Sequence, residues 1–269
     1  MAASAAAAEA TRPPNDKLER GRRPIQATLV FVVPVYNEAE NVPRLLADFE
    51  CRPELFGGGG RLIVVDDGST DATSELVDAH RGSIPLELVR LDQNQGPGAA
   101  FRAGFAAALA GAGDDTFVVT LEGDTTSDVD ALPAMLERAA DGADLVLADW
   151  QMVNVGRIRQ ALSFGAGVVV RRALGLNART VSSFFRVYRT SALKLGFDRY
   201  GDDFIRENGF ACKAEILAKL TVLGIRVDEV AVPLDWSRRL GTSKMPVLRT
   251  MLDYWRMLIR LRSSGALPS

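Results

Sequence analysis

The stretch RLIVVDDGSTD (residues 61–71) decides how the chain folds. Leu62 to Val65 form an apolar, largely β-branched run with no polar alternation, the pattern of a strand buried on both faces. The run ends in Asp66 and Asp67. A Gly-Ser turn and a helix beginning near Asp71 follow. The same plan recurs on either side. Upstream, TLVFVVPVY (28–36) is a second continuous strand, followed by Asn37 as a helix N-cap with Glu38 and Glu40 in the first turn, where the helix dipole favours anions. Downstream, LELVRL (86–91) leads into DQNQGPGAAFRAGFAAALAG, a Gly-rich turn and an Ala-rich helix. TFVVTL (116–121), a helix around 129–140 and ADLVLADW (143–150) continue the series. A β-α-β-α rhythm with short loops predicts an α/β domain with a mostly parallel central sheet flanked by helices. In such sheets ligands gather beyond the carboxyl ends of the strands. The acids at 66–67 and 122–124 both fall there, so the rhythm brings them together across more than fifty residues.

The second half is less regular. Residues 156–176 read as helical, SSFFRVYR (182–189) as a strand, 210–223 as a helix, IRVDEVAVPL (225–234) as a strand and 245–264 as a last helix. No internal repeat or interdomain linker interrupts the chain, so a single domain is expected over 28–244. A disordered leader rich in Ala, Pro and charge would precede it (1–27), and an amphipathic helix with its tail would follow (245–269).

Bulk properties narrow the function. The 269 residues are 47% hydrophobic and 25% charged, ordinary for a soluble globular protein with a sizeable core. The alanine run of the leader precedes its arginines, unlike a signal peptide. The longest apolar stretch of the body, 161–170, is about half of what a membrane span needs. Cys51 and Cys212 stand far apart and point to a reducing cytoplasm rather than a disulfide or zinc framework. The formal net charge of −2 hides an asymmetry: residues 1–149 carry −13 and residues 150–269 carry +11. Carboxylates suit a metal, and arginines suit phosphates or an anionic surface. Nucleic acid is not an expected partner.

The segment TLEGDTTSD (120–128) sharpens the question. It delivers two carboxylates, Glu122 and Asp124, with only Gly123 between them. Such a pair is costly to bury unless a cation joins it. A solvated loop with caps before the helix at 129 is the alternative reading. QGPGAAF (95–101) also resembles a dinucleotide fingerprint, but bulky Phe101 occupies the third glycine position.

The motifs VPVYNEAEN (33–41), VVDDGSTD (64–71), NQGPGAAFRAG (94–104) and LEGD (121–124) come in the order and spacing of a family 2 glycosyltransferase. VSSFFRVYR (181–189), GFACKAEI (209–216) and VPLDWSRRLGTSK (232–244) resemble later motifs of the dolichol-phosphate mannose synthase branch. The resemblance spans Leu29 to Lys244. It implies the GT-A nucleotide-diphospho-sugar transferase fold. It also implies a metal-dependent, inverting transfer of a hexose, mannose favoured and glucose next, from GDP-mannose or UDP-glucose to a polyprenyl (dolichyl-type) phosphate. A different acceptor within the same family, or nucleotide-sugar binding without catalysis, are the alternatives.

By the same resemblance Pro34, Tyr36, Glu38, Val65 and Asp67 line the base and ribose pocket. Glu122, Gly123 and Asp124 form the sugar and metal site, with Mg²⁺ or Mn²⁺ held by Asp124 and Glu122. Arg159, Arg238 and Lys244 hold phosphates. Glu122 replaces the first Asp of the family's usual Asp-x-Asp, and Thr126 stands where an amide is usual. Asp66 and Asp67 also fit turn and cap roles. Arg186 and Arg189 read as structural strand charges and His80 as a surface residue. The last helix carries an apolar stripe with Trp255 and several arginines, suited either to the core or to an anionic bilayer surface. A cytoplasmic enzyme, peripheral on the cytoplasmic face of a membrane, is the expected placement.

Overall fold

A computed structural model describes residues 27–153, 171–172, 178–181, 183–235, 240 and 247–263. The expected leader, the helix read over 156–176 except Arg171 and Arg172, and the end of the tail lie outside these residues.

Seven strands form one sheet in the order β3-β2-β1-β4-β6-β5-β7. They are β1 (Thr28–Val35), β2 (Arg61–Asp66), β3 (Leu86–Arg90), β4 (Thr116–Thr120), β5 (Leu145–Val153), β6 (Arg186–Arg189) and β7 (Val227–Asp235). Strands β1 to β4 are mutually parallel, as are β5 and β7. Short β6 runs antiparallel between β4 and β5.

Alternation along β1 feeds two cores. Val30 and Val32 face one side with Ile63, Val65, Phe101 and Phe105. Leu29, Phe31, Val33 and Val35 face the other with Leu46, Phe49 and Leu132. Helices α3 (Pro97–Leu109), α5 (Thr190–Tyr200), α6 (Cys212–Val222) and α7 (Val247–Ser263) cover the first face. Helices α1 (Val42–Glu50), α2 (Thr73–Asp78) and α4 (Leu132–Ala140) cover the second.

Four features depart from expectation. Helix α1 begins at Val42, and Asn37 is no N-cap. Asn37 has φ 52° and ties two loops: its N–H donates to Ser69 Oγ (2.8 Å), and its Oδ1 accepts from the Thr70 N–H (2.7 Å). The strand expected over 182–189 is only four residues long. Phe184 donates its N–H to Glu122 and its carbonyl accepts from Thr120 Oγ1, so site bonds replace the ladder there. Helix α5 has no counterpart in the sequence reading. His80 is half-buried rather than on the surface, 2.8 Å from Glu50 Oε1. The same carboxylate accepts from the Ser83 and Ile84 N–H groups, and the His80 bond first, then those of Ser83 and Ile84, lower the Glu50 pKa to about 2.

Candidate active site

The carboxyl end of β4 lies mid-sheet, and the chain turns there through Glu122, Gly123 and Asp124. The glycine between the acids answers a packing demand. A Cβ on Gly123 would come within 2.7 Å of Val35 Cγ1 and 2.9 Å of the Pro34 carbonyl oxygen. The acidic turn is thus pressed onto the end of β1. Two residues on, Thr125 is buried with φ 60°, a left-handed conformation that a β-branched residue rarely adopts. Holding it there costs about 1–3 kcal/mol, a strain typical of functional turns.

Each carboxylate is oriented. Glu122 accepts from Ser127 Oγ and from the Phe184 N–H (3.1 Å). Desolvation and, after it, the charge of Asp124 raise its pKa, while Ser127 and the ammonium of Lys213 oppose the rise. Asp124 Oδ1 accepts from Thr126 Oγ1 (2.6 Å) and the Thr126 N–H (3.2 Å). Thr126, standing where an amide is usual in the family, therefore aims Asp124.

The residues expected to line the nucleoside pocket gather at the ends of β1 and β2. Pro34 is in register with Val65, and Tyr36 follows β1 directly. Glu38 donates its N–H to Thr73 Oγ1 (2.8 Å), and its carboxylate accepts from Asn41 Nδ2 (2.6 Å). Asp66 accepts from the Ser69 N–H (3.0 Å) and Ser74 Oγ, which is the turn role. Asp67 is buried and accepts from the N–H groups of Gln95 (2.8 Å) and Gly96 (2.7 Å). Burial raises its pKa while these two bonds lower it. Asp67 therefore fastens the Gly-rich loop to the site.

That loop is not open to a dinucleotide pyrophosphate. A Cβ on Gly98 would meet the Glu207 carbonyl oxygen at 1.9 Å, and the Gly98 N–H donates to the Asn208 carbonyl (2.8 Å). Phe101 is buried with its ring 5.1 Å from that of Phe184.

The phosphate-holding candidates Arg159, Arg238 and Lys244 lie outside the described residues. Leu240, between the last two, exchanges hydrogen bonds with the Asn41 side chain (3.2 and 3.3 Å), beside Glu38. Arg186 is structural, as expected: it is 1% exposed and donates to the carbonyls of Val181, Ser183 and Lys213. Arg189 donates to the Ala139 carbonyl and pairs with Asp144.

The sequence reading missed two charged residues of the GFACKAEI segment. Glu215 is fully buried and accepts from the Arg206 and Glu207 N–H groups, Lys219 and Arg260, joining α6 to α7. Lys213, 7% exposed, places Nζ 3.9 Å from the Phe184 ring centroid and 5.6 Å from that of Phe210. Burial lowers its pKa to about 8 although Glu122 raises it, so the ammonium predominates near neutral pH. Charged residues recurring within an apolar-rich helix were the visible signal.

The donor set at β4 is all oxygen. Among the described residues no group of three or more His, Cys, Asp or Glu gathers to hold an ion. Mg²⁺ and Mn²⁺ are served by one or two carboxylates completed by substrate phosphates, so Asp124 with Glu122 beside it fits such an ion.

Comparisons with known proteins agree with this geometry. The chain is 30% identical over 224 residues to the undecaprenyl-phosphate mannosyltransferase of Micrococcus luteus, covering 81% of this chain and 87% of that protein. It is 28% identical over 232 residues to the polyprenol monophosphomannose synthase of Mycolicibacterium smegmatis, covering 83% and 82%. Among solved structures, glucosyl-3-phosphoglycerate synthase of Mycobacterium tuberculosis, crystallised with Mg²⁺ and UDP, superposes with a TM-score of 0.61 at 18% identity, covering 93% of this chain and 85% of that one. The same enzyme was also crystallised with Mn²⁺ and UDP. This likeness shows the fold, the GT-A architecture. Residues 30–197 match the sequence family described as Glycosyl transferase family 2, and the chain belongs to that family of glycosyltransferases.

Proposed function

We propose that the protein transfers a hexose, mannose before glucose, from a nucleotide diphosphate sugar to a polyprenyl phosphate, with inversion at the anomeric carbon. The observation that carries the reading is the aimed pair Glu122 and Asp124 at the end of β4, between the nucleoside-side strands and the basic half of the chain. The relatives named for undecaprenyl-phosphate and polyprenol mannosylation, aligned over most of both chains, support the acceptor and the sugar.

In this reading Pro34, Tyr36, Glu38 and Val65 receive the nucleoside, as GDP or UDP, on a platform that Asp67 braces. Asp124 would hold Mg²⁺ or Mn²⁺ with Glu122 beside it. When bound, the ion supplies charge neutralisation on the leaving diphosphate. Arg159, Arg238 and Lys244 hold phosphates. The acceptor is a phosphate monoester whose second pKa is about 6, so it arrives ionised and needs no protein base. Fixing it in line with the departing diphosphate supplies much of the rate.

The lipid tail has a matching surface. On α7, Tyr254, Met257, Leu258 and Leu261 pack inward. Met251 (60% exposed), Leu252, Trp255 (62%) and Ile259 face out, accompanied by exposed Arg249, Arg256 and Arg262. This composition suits the headgroup level of an anionic bilayer. No helix among the described residues is long and apolar enough to cross a membrane. Peripheral attachment at the cytoplasmic face follows as part of the proposal.

The test is a donor panel. Purified protein is incubated with GDP-mannose or UDP-glucose, a short polyprenyl phosphate, detergent and Mg²⁺ or Mn²⁺, and glycosyl phospholipid is sought by mass spectrometry. Product with GDP-mannose, lost with EDTA, is the expected result. Saturable donor binding with no lipid product would move the acceptor elsewhere.

A further inference from the structure

One arginine of α7 turns away from the outer face of that helix. Arg249, Arg256 and Arg262 are exposed, whereas Arg260 reaches two carboxylates, Nη1 to Glu207 Oε1 (2.7 Å) and Nη2 to Glu215 Oε1 (2.8 Å). The second oxygen of Glu215 accepts from the N–H groups of Arg206 (2.9 Å) and Glu207 (2.7 Å). Two turns earlier on α7, Asp253 abuts the same stretch: a Cβ on Gly209 would lie 2.9 Å from its Oδ2. Residues 206–209 are thus gripped by α7 at both ends. Their other side carries the Gly-rich loop. The Gly98 N–H donates to the Asn208 carbonyl (2.8 Å), and a Cβ on Gly96 or Gly98 would run into the carbonyl of Asn208 or Glu207. Arg102, on α3, donates to Asn208 Oδ1 (2.6 Å) and to the Ile205 carbonyl. No side chain fits between the two backbones, so the loop follows the stretch. Beyond the loop stands the end of β2, where Asp67 accepts from the Gln95 and Gly96 N–H groups. Direct contacts therefore run unbroken from α7 to the residues expected to line the nucleoside pocket.

We infer that Arg260 is a positioning residue for the nucleotide donor, an inference that rests on the donor site proposed above. Through residues 206–209 it sets the Gly-rich loop, and through that loop the pocket at the end of β2. A planar guanidinium fixes two carboxylates at once, which a point charge does less well. Without it the mostly buried Glu207 loses its ion-pair partner and moves towards water, drawing its backbone away from Gly98. Glu215 keeps Lys219 at 2.7 Å, so the α6 side of the network survives that loss. Arg260 touches no reacting atom. Its effect falls on the ground state and the transition state alike, and so on donor affinity rather than on kcat.

The experiment measures binding of GDP, with UDP as a parallel arm, to the full-length protein by calorimetry with Mg²⁺ present, beside melting and steady-state kinetics. Wild type should bind one of the two nucleotides. Arg260→Gln should raise that Kd about 3- to 30-fold, the range for residues that act on a site through intervening contacts. The donor KM should rise with it, while kcat at saturating donor and the KM for polyprenyl phosphate stay within about twofold. Glu207→Gln leaves the Glu215–Lys219 pair whole and serves if Arg260→Gln does not fold; it should weaken nucleotide binding too. The double variant should lose no more than Arg260→Gln alone, because both changes break one ion pair. Leu136→Ala, buried in the other core, should lower the melting temperature and leave the Kd unchanged. Wild-type nucleotide affinity in folded Arg260→Gln would reduce Arg260 to a staple of α7 and overturn the inference, with the donor reading left standing. Additive losses in the double variant, or an equal loss in Leu136→Ala, would overturn it as well. Failure of wild type to bind either nucleotide would overturn the donor reading and this inference with it.

Discussion

Replacing Gly123 by alanine tests whether the acidic turn is held against β1. The new Cβ would start 2.7 Å from Val35 Cγ1 and 2.9 Å from the Pro34 carbonyl oxygen. Carbon atoms in contact prefer about 3.5–4.0 Å, so the first clash alone asks for a shift of about 1 Å. Val35 is 2% exposed, and Pro34 and Val35 are in register with Val65 and Asp66 of β2, so neither neighbour yields readily. The turn must move instead, carrying Glu122 and Asp124 with it. Overpacking of this kind costs about 1–3 kcal/mol. In a domain of this size that is a fall of roughly 3–9 °C in melting temperature. A displacement near 1 Å at the reacting centre also lowers kcat by about 100-fold. The assay is calorimetric melting alongside steady-state turnover, with Gly57→Ala as control. Gly57 has an ordinary φ of −58° and nothing within 4 Å of a Cβ, so its variant should match wild type or gain slightly. A Gly123→Ala protein with wild-type melting and kcat would refute the close approach and the placement of both carboxylates.

Three further outcomes follow. Asp124→Asn should abolish turnover supported by Mg²⁺ or Mn²⁺ while the melting temperature stays near wild type; wild-type rates would remove Asp124 from the site. Glu50 has a pKa lowered from 4.5 to about 2 by His80, Ser83 and Ile84, so its contribution is present above about pH 4.5 and is lost as pH falls towards 2. The melting-temperature gap between wild type and Glu50→Gln should close over that acid window. Met251→Glu/Trp255→Glu should lower sedimentation with phosphatidylglycerol vesicles at least tenfold without altering melting, because both side chains face outward; unchanged binding would remove α7 from the membrane surface.

The strands were legible because both faces of the sheet are covered. A run such as Leu62 to Val65 has to be apolar throughout when one core takes Ile63 and Val65 and the other takes Leu62 and Val64. The end of β4 was legible for the opposite reason, since two carboxylates interrupt such a run. Less visible were features set by contacts distant in sequence. Nothing near Asn37 announces that its side chain will hold residue 70. Phe184 reads as strand, yet its backbone serves Glu122 and Thr120, sixty-odd residues away. The apolar stripe of α7 was read as one face. The fold divides it, with Met257, Leu258 and Leu261 in the core and Met251, Leu252, Trp255 and Ile259 outside.

The charge asymmetry acquires a different meaning once partners are assigned. The acidity of the first half reads as provision for a metal, but most of its site-side carboxylates hold loops. Asp66 serves Ser69 and Ser74, Asp67 the amides of Gln95 and Gly96, and Asp71 those of Ala39 and Thr73. A carboxylate offers several acceptor positions, so one side chain fixes two loop amides at once. Parallel sheets need such devices at the carboxyl ends of their strands, where loops of different crossovers meet without a ladder between them. Within this acidic set Glu122 is the member facing a buried ammonium, and Asp124 the member aimed by a hydroxyl at its own turn. Net charge in the half-chain therefore overstates the charge at the site. Among the described residues, two carboxylates just past the end of β4 and one lysine on α6 meet at this turn.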